Sequence, residues 1–408
     1  MTTSDSLPPT LARRALLVVG IVGVVLVSGW LFEQLFLGPF VAPVDFAEYW
    51  AAGYLNVNCQ DPYNGANVLA VQRSLGWDTT AIMMWNPPWA LTLVMPLGLL
   101  PFQVAHGVWL ILSFSLVMLS ADLLWRGFGG EMRLRWVAQV LALSFGPTVF
   151  LIGTAQITAF VLIGLAGFLY FAKQDRPLLA GACAALTAVK PHLLSLFALW
   201  LLLDATRSAF GRKVILGGVL VGAFACVPPT LANPDVWSQY WEATHGSSTD
   251  SHHHYSDWTP PLLGWWLRQA IPGHPFLVQW LPLVFEVVGF FVWSVVNRRR
   301  PMTREVSVPW LVGLSLLVAP YGAWTFDLVL LLVPVLAVAV PATKTGNVAV
   351  RRLGCVLLLG VDVAMLVAMQ LKLPAQTYVW VTPVVLVACR LVRSRCRDDS
   401  SRSSPQVP

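Results

Sequence analysis

The chain has 408 residues, 57% of them hydrophobic and only 11% charged, with a mean hydropathy of +0.68. A soluble domain carries about 25% charged residues. The composition therefore excludes an ordinary globular enzyme and points to a polytopic membrane protein. Apolar runs of about 20 residues recur along the chain, and in hydrocarbon the backbone polar groups can be satisfied only within helices. The formal net charge of +6 would suit nucleic acid, but 17 of the 26 Lys and Arg fall in five short segments: Arg13 and Arg14; Arg207, Arg212 and Lys213; Arg298 to Arg300 with Arg304; Lys344, Arg351 and Arg352; and Arg390 to Arg402. That is the positive-inside pattern of cytoplasmic loops, so the basicity is topological and no nucleic-acid partner is expected.

In chain order, residues 1–14 are a polar cytoplasmic tail, and 15–393 form one transmembrane domain that begins with a span over 15–40. Arg13 and Arg14 precede that span and no small-residue cleavage site follows it, so it is a retained anchor. The first external loop covers about 41–85, long enough for two interfacial helices. Asn86-Pro87-Pro88-Trp89 opens a second apolar piece, interrupted by Pro96 and Pro101; further pieces cover 103–125, 135–151, 154–172, 178–203 (broken at Lys190-Pro191) and 213–232. A second external loop, about 233–260, precedes spans at 275–297, 306–320, 325–342, 352–370 and 376–393, and the tail from 394 is Ser- and Arg-rich. Ten to twelve spans are expected, and twelve place both loops outside and both termini in the cytoplasm of a multi-pass cell-membrane protein. Arg126, Arg133 and Arg135 fit that topology if Asn86 to Leu100 is re-entrant and a second half-span ends near Gly153.

The candidate chemistry gathers where polar residues interrupt this pattern. Val44 to Tyr63 is acidic and aromatic amid apolar surroundings. Asp45 and Glu48 stand three apart, followed at helical spacing by Tyr49, so a short helix puts both carboxylates on one face beside the bilayer. Asp61-Pro62-Tyr63 then turns the chain. A carboxylate there can take a proton from a hydroxyl acceptor; the plain alternative is a solvated or helix-capping acid. Lys190-Pro191-His192 breaks an apolar run. A lysine at membrane depth is a functional candidate, and its cation suits an anionic lipid head group, unless it snorkels to the interface. In Pro320 to Asp327, PYGAWTFD, which also holds the candidate Tyr321, Asp327 faces the outer side, where it either caps its own helix or serves the site. Gln156, in Gly153-Thr154-Ala155-Gln156, is a ligand contact or part of a small-residue packing notch.

Other chemistries find little support. There is no phosphate-binding loop, nucleotide fingerprint or G-x-S-x-G. Six cysteines show neither a disulfide framework nor zinc spacing. His245, His252, His253, His254 and Asp257 suggest a metal, yet adjacent histidines cannot all face one ion without an unusual turn. No metal or other cofactor is expected. Asp122, Glu286 and Asp362 are lone acids in apolar runs and are taken as structural.

The blocks DFAEYWAAGYL…DPY, NPPWALTLVMPLGLLPF, GTAQ, RPLLAGACAALTAVKPHLL and LLVAPYGAWTFDLVLLLVP, in this order over residues 40 to 340, resemble glycosyltransferase family 87. The resemblance implies a GT-C-like all-α bundle and a polyprenyl-phosphate hexose donor, with mannose the expected sugar. The transfer would be inverting, to a hydroxyl of a lipid or glycan acceptor on the extracytoplasmic side, with membrane lipids as surroundings. By position, Asp45 resembles the catalytic acid of the first external loop, Lys190-Pro191 the Lys-Pro motif, and Asp327 the Tyr-Asp-Leu position, with Phe326 in place of the Tyr. Glu48, Tyr49, Asp61, Tyr63, Gln156, His192, Tyr321 and, beside them, Lys190 and Asp327 are the expected substrate contacts. The alternatives are a transporter or flippase, for which paired repeats would be expected but none is visible, and a polysaccharide ligase or polymerase, for which residues 233–260 make a modest loop.

Overall fold

The computed structural model describes residues 44–77, 80–245, 263–271, 273–296, 303–320, 323–345 and 347–403. The expected first span, the N-terminal tail and the histidine cluster at 252–254 lie outside them. Among the described residues every regular element is a helix.

The stretch expected to form the first external loop holds the two expected helices, α1 (Val44–Val57) and α2 (Gly65–Ser74). Between them Asp61 Oδ1 accepts from the Tyr63 N–H at 2.8 Å, an Asx turn, and Asn64 caps α2 by accepting from Ala66 and Asn67. The Asn-Pro-Pro-Trp motif leads through a 3-10 turn, Pro88–Ala90, into α3 (Leu91–Gly98). α3 lies backbone to backbone on α1: a Cβ on Gly53 would stand 2.6 Å from the Val94 carbonyl oxygen, and one on Gly98 2.4 Å from the Tyr54 nitrogen.

A full-length span follows, α4 (Phe102–Gly127), and then a broken one, α5 (Arg135–Ser144) and α6 (Gly146–Gly153), bent by 62°. Pro147 removes one N–H at the bend, and the neighbouring Gly146 N–H donates to Asp362 Oδ1 at 2.8 Å. One lone acid of the sequence is therefore structural: it satisfies the backbone of a broken helix. α7 (Thr158–Lys173) and α8 (Pro177–Ala185) come next. Two 3-10 turns, Leu186–Val189 and Pro191–Leu193, separate α8 from α9 (Ser195–Arg207), so the run expected over 178–203 is broken where Lys190-Pro191 placed the break.

The remainder is α10 (Ala209–Ala232), α11 (Val236–His245), α12 (Leu263–Ala270), α13 (Pro275–Val296), α14 (Arg304–Val318), a 3-10 turn Asp327–Leu331 running into α15 (Leu332–Lys344), α16 (Val348–Gln370), and a further turn Ala375–Trp380 before α17 (Val381–Ser403). Six segments of the described residues are long and apolar enough to cross a membrane, or seven counting the bent α5–α6 pair. The other apolar runs are carried by shorter helices, Pro88–Gly98, Thr158–Lys173 and Pro177–Val189. Those expected at Asn86–Leu100 and near Gly153 are both short pieces.

Burial separates the lipid-facing helices from the core. The Asp327–Lys344 segment is 72% buried, against 17% for Ala209–Ala232. α7 is buried along most of its length, from Thr158 to Ala172. These two buried helices begin close together, and the polar residues of the sequence converge on their N-terminal ends. Close helix packing here uses small residues, as expected where lipid supplies no hydrophobic drive: a Cβ on Gly181 of α8 would lie 2.0 Å from the Val214 carbonyl of α10, and one on Gly217 2.3 Å from the Leu178 carbonyl. Gly181→Ala must push two backbones apart. It is expected to cost about 1–3 kcal/mol, read as a lower melting temperature in detergent, whereas Gly222→Ala, whose Cβ meets nothing within 4 Å, should leave melting unchanged.

Candidate active site

α1 carries Asp45, Glu48 and Tyr49 within its first two turns, as the spacing predicts. Tyr49 is fully buried, its ring against Trp109 of α4 at 5.7 Å, while Asp45 and Glu48 are half-buried. The Tyr49 hydroxyl donates to Gln156 Oε1 at 2.7 Å, and Gln156 Nε2 donates to Asp45 Oδ2 at 2.8 Å. Gln156 Oε1 also accepts from Lys190 Nζ at 2.9 Å. One buried amide thus bridges α1 to the Lys-Pro break.

The local fold explains how Gln156 is held. α6 ends in a Schellman motif: the Ala155 N–H donates to the Ile152 carbonyl at 3.1 Å and the Gln156 N–H to the Leu151 carbonyl at 3.0 Å. That motif needs a left-handed residue, and Ala155 takes it with φ 52°, uncommon for a residue with a Cβ. The Trp109 indole donates to the Ala155 carbonyl at 2.7 Å and pins the turn. Gln156 is therefore presented by a fixed turn, and the small residues before it supply the geometry.

Lys190 Nζ pairs with Asp327 Oδ1 at 2.9 Å, and lies over the Phe326 ring at 4.9 Å. Asp327 accepts three hydrogen bonds in all. Oδ1 also accepts from the Thr158 hydroxyl at the start of α7, and Oδ2 accepts from the Trp324 N–H at 3.0 Å. Of the two sequence alternatives for Asp327, capping its own helix is not what its oxygens do: they serve Lys190, Thr158 and the turn before it. Its side chain is 1% exposed and that of Lys190 10%, so Lys190 is the more exposed member of a buried pair. A lysine snorkelling to the interface would not be buried against an aspartate.

Burial pushes the Asp45 carboxyl above its ordinary range, opposed by the Gln156 hydrogen bond and the Lys190 charge. Glu48 is pushed well above, by burial and then by the negative charge of Asp45 one turn away. The two neighbouring carboxyls are both raised, Glu48 further than Asp45.

The remaining expected residues fall into three groups. Tyr63 is buried, its hydroxyl donating to the Asn86 carbonyl at 3.0 Å and its ring edge-on to Tyr240 at 5.1 Å; Asp61 holds its backbone. Both stand one layer behind the Asp45–Gln156–Lys190–Asp327 network. His192 is half-buried in the turn directly after Lys190. Tyr321 lies outside the described residues. Thr158 and Trp324 join the network although no sequence pattern singles them out; the only signal for Thr158 is a hydroxyl two residues after Gln156 at the head of a helix. Among the described residues no group of three His, Cys, Asp or Glu side chains comes together as a metal site.

The long apolar helices, and a polar network buried at the ends of two core helices, make this a multi-pass membrane protein with an internal polar site. Its class follows from the sequence profile of glycosyltransferase family 87, which matches residues 85–320. The chain belongs to that family and is a membrane glycosyltransferase, acting on a sugar donor and an acceptor among membrane lipids. No curated protein and no solved structure matches it. Gln156 and Lys190 fall inside the matched residues; Asp45 precedes them and Asp327 follows them.

Proposed function

We propose that the enzyme moves a hexose, mannose in the first instance, from a polyprenyl-phosphate donor to a hydroxyl of a lipid or glycan acceptor. The transfer takes place at the extracytoplasmic face of the cell membrane, with both termini in the cytoplasm and inversion at the anomeric carbon. The observation that carries this reading is the single amide of Gln156 between Asp45 and Lys190: a base and a cation stand on either side of one side chain, at the ends of two buried helices whose positive N-terminal poles favour an anion. Asp45 takes the acceptor hydroxyl proton. The acceptor oxygen attacks the anomeric carbon, the bond from that carbon to the phosphate oxygen breaks, and the lipid phosphate leaves toward Lys190. A phosphate needs no strong general acid to depart, so one base and one cation suffice.

Several further features support this arrangement. An apolar cavity of about 700 Å³ between α9, α12, α13 and α14, lined by Leu196, Leu267, Phe285, Leu311 and Val318 among others, offers room for an isoprenoid chain near the Lys190 turn. Glu48 and His192 are assigned to the rim where sugar and phosphate meet, the buried Tyr49 hydroxyl to holding Gln156, and Asp327 to holding Lys190. No nucleotide-binding motif occurs in the sequence. Purified protein is expected to glycosylate a lipid extract of its host when given a polyprenyl-phosphate hexose. Polyprenyl-phosphate mannose, glucose and arabinose, run in parallel, identify the sugar. Turnover with a nucleotide sugar as the sole donor would overturn the reading.

A further inference from the structure

Breaking a helix at Lys190 costs hydrogen bonds, and the structure shows where they are recovered. Pro191 brings no N–H of its own, and the turn after it is 3-10: the Leu193 N–H donates to the Lys190 carbonyl at 3.2 Å and the Leu194 N–H to the Pro191 carbonyl at 3.4 Å. In an unbroken α-helix the Leu193 N–H would serve Val189. A buried carbonyl without a donor is costly, and two side chains from a motif about a hundred residues earlier take over. Asn86 Nδ2 donates to the Val189 carbonyl at 2.8 Å, and the Trp89 indole donates to the Ala188 carbonyl at 3.1 Å. Pro87 and Pro88 between them have fixed φ, so the two donors are presented at a set spacing. The Tyr63 hydroxyl in turn holds the Asn86 carbonyl at 3.0 Å.

We propose that Asn86 and Trp89 are positioning residues: they clamp the two carbonyls before Lys190 and so set the direction in which its ammonium meets the donor phosphate. Neither touches the reacting atoms. Asn-Pro-Pro-Trp, which in sequence only opens an apolar piece, is on this account the holder of the phosphate-binding lysine, with Asp61 and Tyr63 as its outer support. The inference rests on Lys190 as the phosphate-binding cation.

The test separates the clamp from plain scaffolding by using two probes that differ only in the phosphate: a polyprenyl monophosphate and the corresponding polyprenol. Each is titrated against detergent-purified protein, with ligand-dependent melting as the readout. Trp89→Phe keeps the ring and deletes the donor. It is expected to weaken polyprenyl monophosphate binding by roughly threefold to tenfold, the range of one hydrogen bond, with polyprenol binding unchanged and only a small fall in ligand-free melting from the Ala188 carbonyl that loses its donor. Asn86→Leu should act in the same direction, and if it fails to fold, Trp89→Phe decides alone. Equal weakening of both probes, a fall in ligand-free melting that accounts for the loss, or unaltered phosphate binding would overturn the clamp. Wild-type protein that binds the two probes alike would show instead that no cation holds the phosphate, and would remove the premise as well.

Discussion

Asp45→Asn is expected to lower the transfer rate by about 10²–10⁴-fold, the contribution of a positioned general base, while expression and melting stay near wild type. An amide oxygen at that position can still accept from Gln156 Nε2, as Asp45 Oδ2 does at 2.8 Å, so the network survives and only basicity is lost. The pH profile supplies a second reading. The base works deprotonated, and burial raises the Asp45 carboxyl above its ordinary range; kcat/KM should therefore fall as pH drops through a value above that of a free aspartate. Glu48 is raised further, by burial and then by the charge of Asp45. A variant that retains most of the wild-type rate would remove Asp45 from the role and turn attention to Glu48.

Lys190→Met has the second large effect, and it divides between stability and chemistry. Removing one partner of a buried ion pair leaves the other uncompensated, at a cost of about 3–5 kcal/mol. Asp327 is fully buried and would keep only the Thr158 hydroxyl and the Trp324 N–H as donors. Lys190→Met should therefore melt early as well as lose donor affinity. Adding Asp327→Asn neutralises the stranded carboxylate, so the double variant should recover melting but not turnover. Recovery of both would show that Lys190 serves only to balance Asp327. Asp327→Asn alone strands the ammonium and should also be unstable, unlike a replacement at a helix cap, where Asn is as good as Asp.

These expectations show which parts of the molecule could be read along the chain. The apolar runs gave the long helices because their length in a bilayer is fixed by its thickness. The period-3.6 pattern placed Asp45, Glu48 and Tyr49 on one helix, and a proline after a lysine in an apolar run marked the break at Lys190. What local reading cannot supply is the partner across the fold. Gln156 lies 107 residues from Tyr49 and 111 from Asp45, and Asp327 lies 137 from Lys190. In sequence Asp327 therefore resembled a cap, and Gln156 a packing notch. The fragmentation of α3, α6, α7 and α8 was only partly legible, since an apolar run does not tell a straight span from two short pieces whose exposed ends are satisfied by side chains such as Asp362, Asn86 and Trp89.

The Gln156 bridge also bears on the electrostatic cost of turnover. In the proposed reaction the donor enters as a phosphodiester with one negative charge and leaves as a phosphomonoester that can carry two, while Asp45 begins as an anion and ends neutral. The sum over the pocket is unchanged; one unit of negative charge has passed from the carboxylate side of the amide to the ammonium side. A site that conserves its total charge need not import a counter-ion across the membrane interface in each cycle, and the amide dipole between the two positions can shift its hydrogen-bonding weight from one neighbour to the other without moving. The cycle then closes when the proton leaves Asp45 and the dianionic lipid leaves Lys190. Release of product is then the step at which ionic strength has its purchase, while pH acts on Asp45 before transfer as well.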